Sequence, residues 1–355
     1  MWINKEMEKL QPSAVRRMGA IRSKRSDVIN LGLGQSVYPT PANVIEAGKK
    51  ALDDGFTKYA PNAGLAVLRE AIAEKVKREN GINATANDVF VTVGAQEALS
   101  SLFILLLNPG DEIIITDPCY TGYISSIAVA RGVPVRVPLR ASNGRHLDPK
   151  DLERAISPKT RVILYNTPNN PCGTVAHKEE LEAIARVAIE HDLFVVTDEV
   201  YEKIIFDGRQ HISIASFPGM AERTATVNAF SKSYCMTGWR VGYFVMQNKL
   251  KEHWPKVQQA LVSGANASAQ MACVEALTGP QEFAQEYLAK YDEARTILYE
   301  GINAIPGVSC LKPEGTFYAM VDVSELGTDE EVAIHLVQNQ GVRTIPSAQY
   351  GRHGE

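Results

Sequence analysis

The sequence predicts an α/β fold, in which a mostly parallel sheet carries helices on both faces and a smaller α+β portion follows. Short β-rich runs alternate with stretches of helical spacing, the mark of βαβ units. A chain of 355 residues is long enough for one large domain and a smaller one. After Pro306-Gly307 the alternation stops and the pattern becomes that of a separate α+β piece.

The elements follow in order. Thr40-Pro41 reads as N-cap and first helical residue of a helix that runs to Gly55. Leu65, Leu68, Ile72 and Val76 stand at helical spacing in a second helix, which ends at Gly81. Strand Val89–Val93, helix Gln96–Leu107, strand Glu112–Thr116, helix Tyr120–Arg131 and strand Val133–Val137 come next. Strand Arg161–Tyr165, helix Lys178–His191 and strands Leu193–Thr197 and Thr224–Ala229 continue the pattern, and helices Lys249–Ser263 and Pro280–Ala304 follow.

Composition excludes more than it selects. A net charge of −4 offers no basic excess to neutralise nucleic-acid phosphates. The five cysteines (Cys119, Cys172, Cys235, Cys273, Cys310) are scattered, so neither a disulfide framework nor a metal site is expected, and reduced thiols fit the cytoplasm. The N-terminus has no signal-peptide apolar stretch, and the run Leu102–Leu107 is far too short to span a bilayer.

In parallel sheets, ligands sit beyond the carboxyl ends of the strands. Those ends carry polar groups that packing does not need. Gly94-Ala95-Gln96 opens a helix, where free N–H groups attract an anion. Asn169-Asn170-Pro171 with Gly173 follows one strand, and Asp198-Glu199-Val200-Tyr201 follows another. Lys232 lies in Ser231-Lys232-Ser233, ahead of Met236-Thr237-Gly238-Trp239-Arg240. Taken singly, each also reads as a helix start, a tight turn, a loop cap or a surface amine.

Together and in this order, from about Gln11 to the end, these motifs resemble the class I/II aminotransferases of fold type I, the aspartate aminotransferase superfamily. The segment Tyr59-Ala60-Pro61-Asn62-Ala63-Gly64 matches as well. The resemblance implies a seven-stranded PLP-transferase sheet. It divides the chain into an arm with part of a small domain (1–40), a large pyridoxal 5′-phosphate (PLP) binding domain (41–279) and a small C-terminal domain (280–355). It implies that Lys232 carries PLP as a Schiff base and shuttles the α-proton, with its pKa lowered by burial beside positive charge. Asp198 would pair with the pyridine nitrogen, Tyr201 and Asn170 would bond the phenolic oxygen, and Tyr120 would stack on the ring. Ala95, Gln96 and Arg240 would hold the phosphate, completed by Tyr59 of a second subunit in a homodimer, with Gly94 and Ser231 also binding the cofactor. Ala229 stands where many relatives have a phosphate-binding serine, and Cys172 where threonine is usual.

On the substrate side the resemblance implies Gly34 beside the carboxylate, with Asn170, Tyr38 and Phe317 in the pocket. For Tyr38 and Phe317, core packing is an open alternative. The family's carboxylate-binding arginine would fall a few residues beyond Glu355, with Arg352 too early, so the sequence is expected to be a piece of a longer enzyme. The implied reaction moves an amino group from an aromatic, neutral or aspartate-like L-amino acid to a 2-oxo acid such as 2-oxoglutarate. A PLP-dependent carbon–sulfur β-lyase, or a PLP-binding form made inactive by loss of that arginine, would share the same cofactor residues.

Overall fold

The computed structural model describes residues 2, 5–8, 10 and 14–354, so parts of the expected N-terminal arm, including Gln11, and Glu355 lie outside the described residues. The strands among the described residues, in chain order, are β1 (Ile29–Asn30), β2 (Val89–Thr92), β3 (Glu112–Asp117), β4 (Val133–Pro138) and β5 (Thr160–Asn166). They continue with β6 (Phe194–Asp198), β7 (Thr224–Ala229), β8 (Gly242–Met246), β9 (Ser309–Cys310), β10 (Val321–Asp322) and β11 (Val342–Arg343). Seven of them form the central sheet in the order β2-β8-β7-β6-β5-β3-β4. The β7-β6-β5-β3-β4 run is parallel, while β8 runs antiparallel to both neighbours.

The middle strands are buried along nearly their whole length, as the continuous apolar runs Ile113-Ile114-Ile115 and Val162-Ile163-Leu164 require when helices cover both faces. One core layer joins Val89 and Val91 of β2 and Tyr243 and Val245 of β8 to Leu68, Ile72 and Val76 of the helix Ala66–Asn80 and to Ala269 and Ala272 of the helix Ala267–Thr278. The other face packs Leu99, Leu102 and Phe103 against β3 and β7, while Leu181, Ile184 and Val187 pack against β5 and β6 on the same face as the first layer. The smaller α+β portion holds the long helix Glu282–Asn303 and the antiparallel pair β9–β10. Two-residue β1 and β11 pair in parallel, joining residues near the two ends of the chain.

Four local expectations are corrected. The first long helix begins at Ala42 with Pro41 as its cap residue, and it ends at Asp53, not Gly55. Thr40 does not cap it, because its hydroxyl donates to Cys235 O at 2.8 Å and accepts from Trp239 Nε1 at 3.1 Å. The helix expected over Lys249–Ser263 is broken into a 3₁₀ turn, Lys249–Glu252, and a helix, Trp254–Leu261, since Pro255 has no N–H to continue a preceding helix and is suited to a first turn. β8 and the helix Ala267–Thr278 were not foreseen. β8 follows directly on the Lys232–Arg240 motif, and the helix is too uniformly apolar to show a polar face.

Candidate active site

The carboxyl ends of β5, β6 and β7 open into a cavity of about 370 Å³. Its wall includes Gly34, Ala95, Gln96, Tyr120, Asn170, Asp198, Tyr201, Ser231, Lys232 and Arg240, brought together from widely separated stretches of chain. Ala229 also lines it.

Lys232 projects from the four-residue helix Phe230–Ser233 that follows β7. Its Nζ donates to Gly34 O at 2.5 Å and lies 5.8 Å from the ring centroids of Tyr201 and Phe317. Burial draws the ammonium down to about 8, Arg240 adds to the effect, and the charge on Asp198 opposes it. An amine in this state is partly unprotonated near neutral pH, as a nucleophile or proton shuttle must be.

Asp198 ends β6, and burial pushes its carboxyl up to about 6. Tyr123 OH donates to Asp198 Oδ2 at 2.6 Å, and Val200 N–H makes a long 3.4 Å contact with Oδ1. Asn166, at the end of β5, ties the neighbouring strand ends together: its Nδ2 donates to Asp198 O at 2.8 Å, and its Oδ1 accepts Asn170 N–H at 2.7 Å. Asn170 Oδ1 is buried and has no partner in the protein.

At the other end of the cavity, the helix Gly94–Leu106 presents its N-terminus beside Arg240. Gly94 has φ +78°, and a Cβ there would lie 2.6 Å from Arg240 Nη2, so only glycine lets the guanidinium come this close. Arg240 Nη1 donates to Thr237 O at 3.1 Å. Gln96 Nε2 donates to Ser126 Oγ at 2.7 Å, and its Oε1 lies 3.4 Å from Tyr120 OH.

Tyr59 is 96% exposed and is not part of the cavity wall in the single chain. Tyr38 and Phe317 do not reach the wall either. Tyr38 stacks on Tyr287 at 4.7 Å between ring centroids, and Phe317 packs edge-on against Tyr201 at 5.6 Å. Tyr318, the next residue, lines the cavity instead and pairs its hydroxyl with Tyr201 OH at 2.9 Å. Tyr123 and Tyr350 are further wall residues that sequence reasoning missed. Tyr123 had one available signal, its spacing of three from Tyr120, which puts both on one face of a helix.

Directly behind the Asp198–Tyr201 turn lies a buried ionic cluster. Glu199 accepts from His211 Nε2 at 2.7 Å and Ser213 Oγ at 2.8 Å. Lys75 donates to Asn80 Oδ1 at 2.8 Å and is bonded to Glu202, and Asn80 Nδ2 reaches Glu202 Oε2 at 2.7 Å. Burial pushes the Glu202 carboxyl up, but Lys75 and His211 outweigh it and hold it at about 2. Glu199, Glu202 and His211 are close enough to share a cation, and Lys75 already supplies one there.

The residues fit PLP chemically. An anion corner, a buried carboxylate and a depressed lysine face one cavity, and the unpartnered Asn170 Oδ1 lies on its wall.

A family model described as aminotransferase class I and II matches residues 26–353. The aspartate/prephenate aminotransferase of Thermus thermophilus is 37% identical over 99% of this chain and 92% of its own length. The aspartate aminotransferase of Pyrococcus abyssi is 37% identical over 100% of this chain and 92% of its own. The crystal structure of an aromatic aminotransferase from Pyrococcus horikoshii OT3 superposes with a TM-score of 0.90 at 36% identity, covering 96% of this chain and 91% of that one.

Proposed function

Because this chain belongs to the class I and II aminotransferases and is a PLP-dependent enzyme, we propose that Lys232 is its cofactor lysine. We propose as donor an aromatic, neutral or aspartate-like L-amino acid, and as acceptor a 2-oxo acid such as 2-oxoglutarate. The observation that carries the assignment is the half-buried Lys232 amine, drawn down to about 8 in a cavity it shares with Asp198 and Arg240.

Bound PLP supplies a carbonyl for the amino group and a ring that takes up the electrons released at the substrate's α-carbon. The protein's side chains do the rest. Lys232 would take the proton from the α-carbon and pass it to the cofactor carbon that bears the amino nitrogen. Asp198 keeps a proton on the pyridine nitrogen. Tyr201 and Asn170 bond the phenolic oxygen, and Tyr120 covers one ring face. Arg240, Ser231, Gln96 and the backbone at Gly94 and Ala95 hold the phosphate. Ala229 has no hydroxyl to add, which costs about 1 kcal/mol of phosphate binding. Gly34 and Asn170 border the substrate, with Tyr38 and Phe317 supporting the pocket from behind.

We read the chain as an arm and part of a small domain (1–40), a large PLP-binding domain (41–279) and a small domain (280–355). The enzyme acts as a cytoplasmic homodimer in which Tyr59 reaches the partner's phosphate. Its exposure in the single chain supports that role, as does the groove beside Arg240 lined by Thr40, Gly48, Trp239 and Asn266. Among the described residues no helix is long and apolar enough to cross a membrane. Relatives named as aminotransferases do not favour the β-lyase reading. The test is Lys232→Ala, assayed with aspartate and with phenylalanine against 2-oxoglutarate: turnover should vanish with both, and substantial turnover would refute the assignment.

A further inference from the structure

We propose that Tyr123 is a positioning residue of this site, whose hydroxyl holds Asp198 ionised and oriented toward the cofactor's pyridine nitrogen. The proposal rests on the role given to Asp198 above.

Three observations carry it. The Tyr123 hydroxyl is buried and 2.6 Å from Asp198 Oδ2, the length of a charge-assisted O–H···O⁻ bond. That bond engages one oxygen. Oδ1, which has only a 3.4 Å contact from Val200 N–H, keeps the capacity to accept from a ligand. Tyr123 also lies in the first turn of the helix Thr121–Val129, three residues after Tyr120, and the two rings meet edge-on at 5.3 Å. One rigid helix start thereby delivers both the ring-face tyrosine and the partner of the carboxylate.

The groups facing Asp198 are Tyr120 and Tyr123 from this helix, Glu199 and Tyr201 on its own turn, Lys232 after β7, and Tyr318. Burial and Glu199 favour the neutral acid, whereas Tyr123 and Lys232 favour the carboxylate. Burial and the Asp198 charge raise the Tyr123 phenol well above its ordinary value, so it stays a donor. Without that donor Asp198 would hold a proton of its own more readily and would support one on the pyridine nitrogen less. With PLP bound, the ring would carry less positive charge, and the proton affinity of the Lys232 nitrogen would rise.

The experiment is a pH titration of the visible absorbance of the PLP-loaded enzyme for wild type, Tyr123→Phe, Asp198→Asn and the double variant. Losing a hydrogen bond to a charged group changes proton affinity by about tenfold, so Tyr123→Phe should raise the absorbance midpoint by about one pH unit. Asp198→Asn should raise it further, and the double variant should match Asp198→Asn alone. Difluorotyrosine at position 123, a stronger donor of the same shape, should lower the midpoint and keeps the test open if the phenylalanine variant folds poorly. A role in packing alone would change the melting temperature and not the midpoint. If both replacements at 123 stay within about 0.2 pH unit of wild type while Asp198→Asn moves, the role of Tyr123 is refuted. If Asp198→Asn does not move either, the role assigned to Asp198 falls with it.

Discussion

Replacing Lys75 by methionine tests the buried cluster behind the active-site turn, since methionine keeps the length of the side chain and removes the ammonium. In the wild type, Glu202 is held at about 2 against an ordinary carboxyl value of 4.5. A lowered carboxyl contributes stability that is complete above 4.5 and is lost as pH falls toward 2. The gap corresponds to about 3 kcal/mol. Without Lys75, Glu202 becomes a buried carboxylate beside Glu199, left with Asn80 and His211 as partners. Breaking a buried pair on one side costs about 3–5 kcal/mol. Urea unfolding with saturating PLP at pH 7.5 should show that loss. The pH profile should also change: between pH 7 and 5 Glu202 takes up a proton only in the variant, so the variant should gain more stability over that range than the wild type. A loss under about 1 kcal/mol, or parallel pH profiles, would show that Lys75 is not the charge that holds Glu202 down.

Two further outcomes follow from the site. A methyl group on Gly34 would sit 2.4 Å from Tyr318 OH, so Gly34→Ala should lower kcat/KM by at least about tenfold, near 1.4 kcal/mol. Adding Tyr318→Phe, which removes the clashing atom, should recover part of it, and a fully active Gly34→Ala enzyme would contradict the close approach. With Lys232 drawn down to about 8, the rate at which cofactor-free protein takes up PLP should rise about tenfold per pH unit below 8 and level off above it. A rise continuing past pH 9.5 would mean an ordinary solvated lysine.

Polar residues at strand ends were legible because nothing in packing calls for them there, and Asn170, Asp198, Lys232 and Arg240 do meet around one cavity. Tyr123 and Tyr318 were not legible as polar groups. An aromatic residue in an apolar stretch looks the same in sequence whether its hydroxyl is idle or meets a carboxylate. Lys75 left a trace: it follows Ile72 by three and precedes Val76, so it lies on the apolar stripe of its helix although lysine is normally solvated. The buried acid that draws it inward, Glu202, is more than a hundred residues away, and no local pattern announces it. Thr40 misled for a similar reason. Its hydroxyl could satisfy a helix end or a distant loop, and tertiary packing chose the loop holding Cys235 and Trp239.

The pairing of β1 with β11 has a consequence for how the enzyme is made. Ile29 and Asn30 leave the ribosome about 310 residues before their partners Val342 and Arg343. At roughly 5–20 residues per second, that interval is about 15–60 s. Through it the early segment bearing Ile29, Leu31 and Leu33, which stay largely exposed even in the finished chain, has no strand to join. Gly34, whose carbonyl accepts from Lys232, lies four residues beyond β1. The mouth of the cavity therefore waits for Val342 and Arg343, which emerge about 110 residues after Lys232, so the lysine is made well before the wall that encloses it.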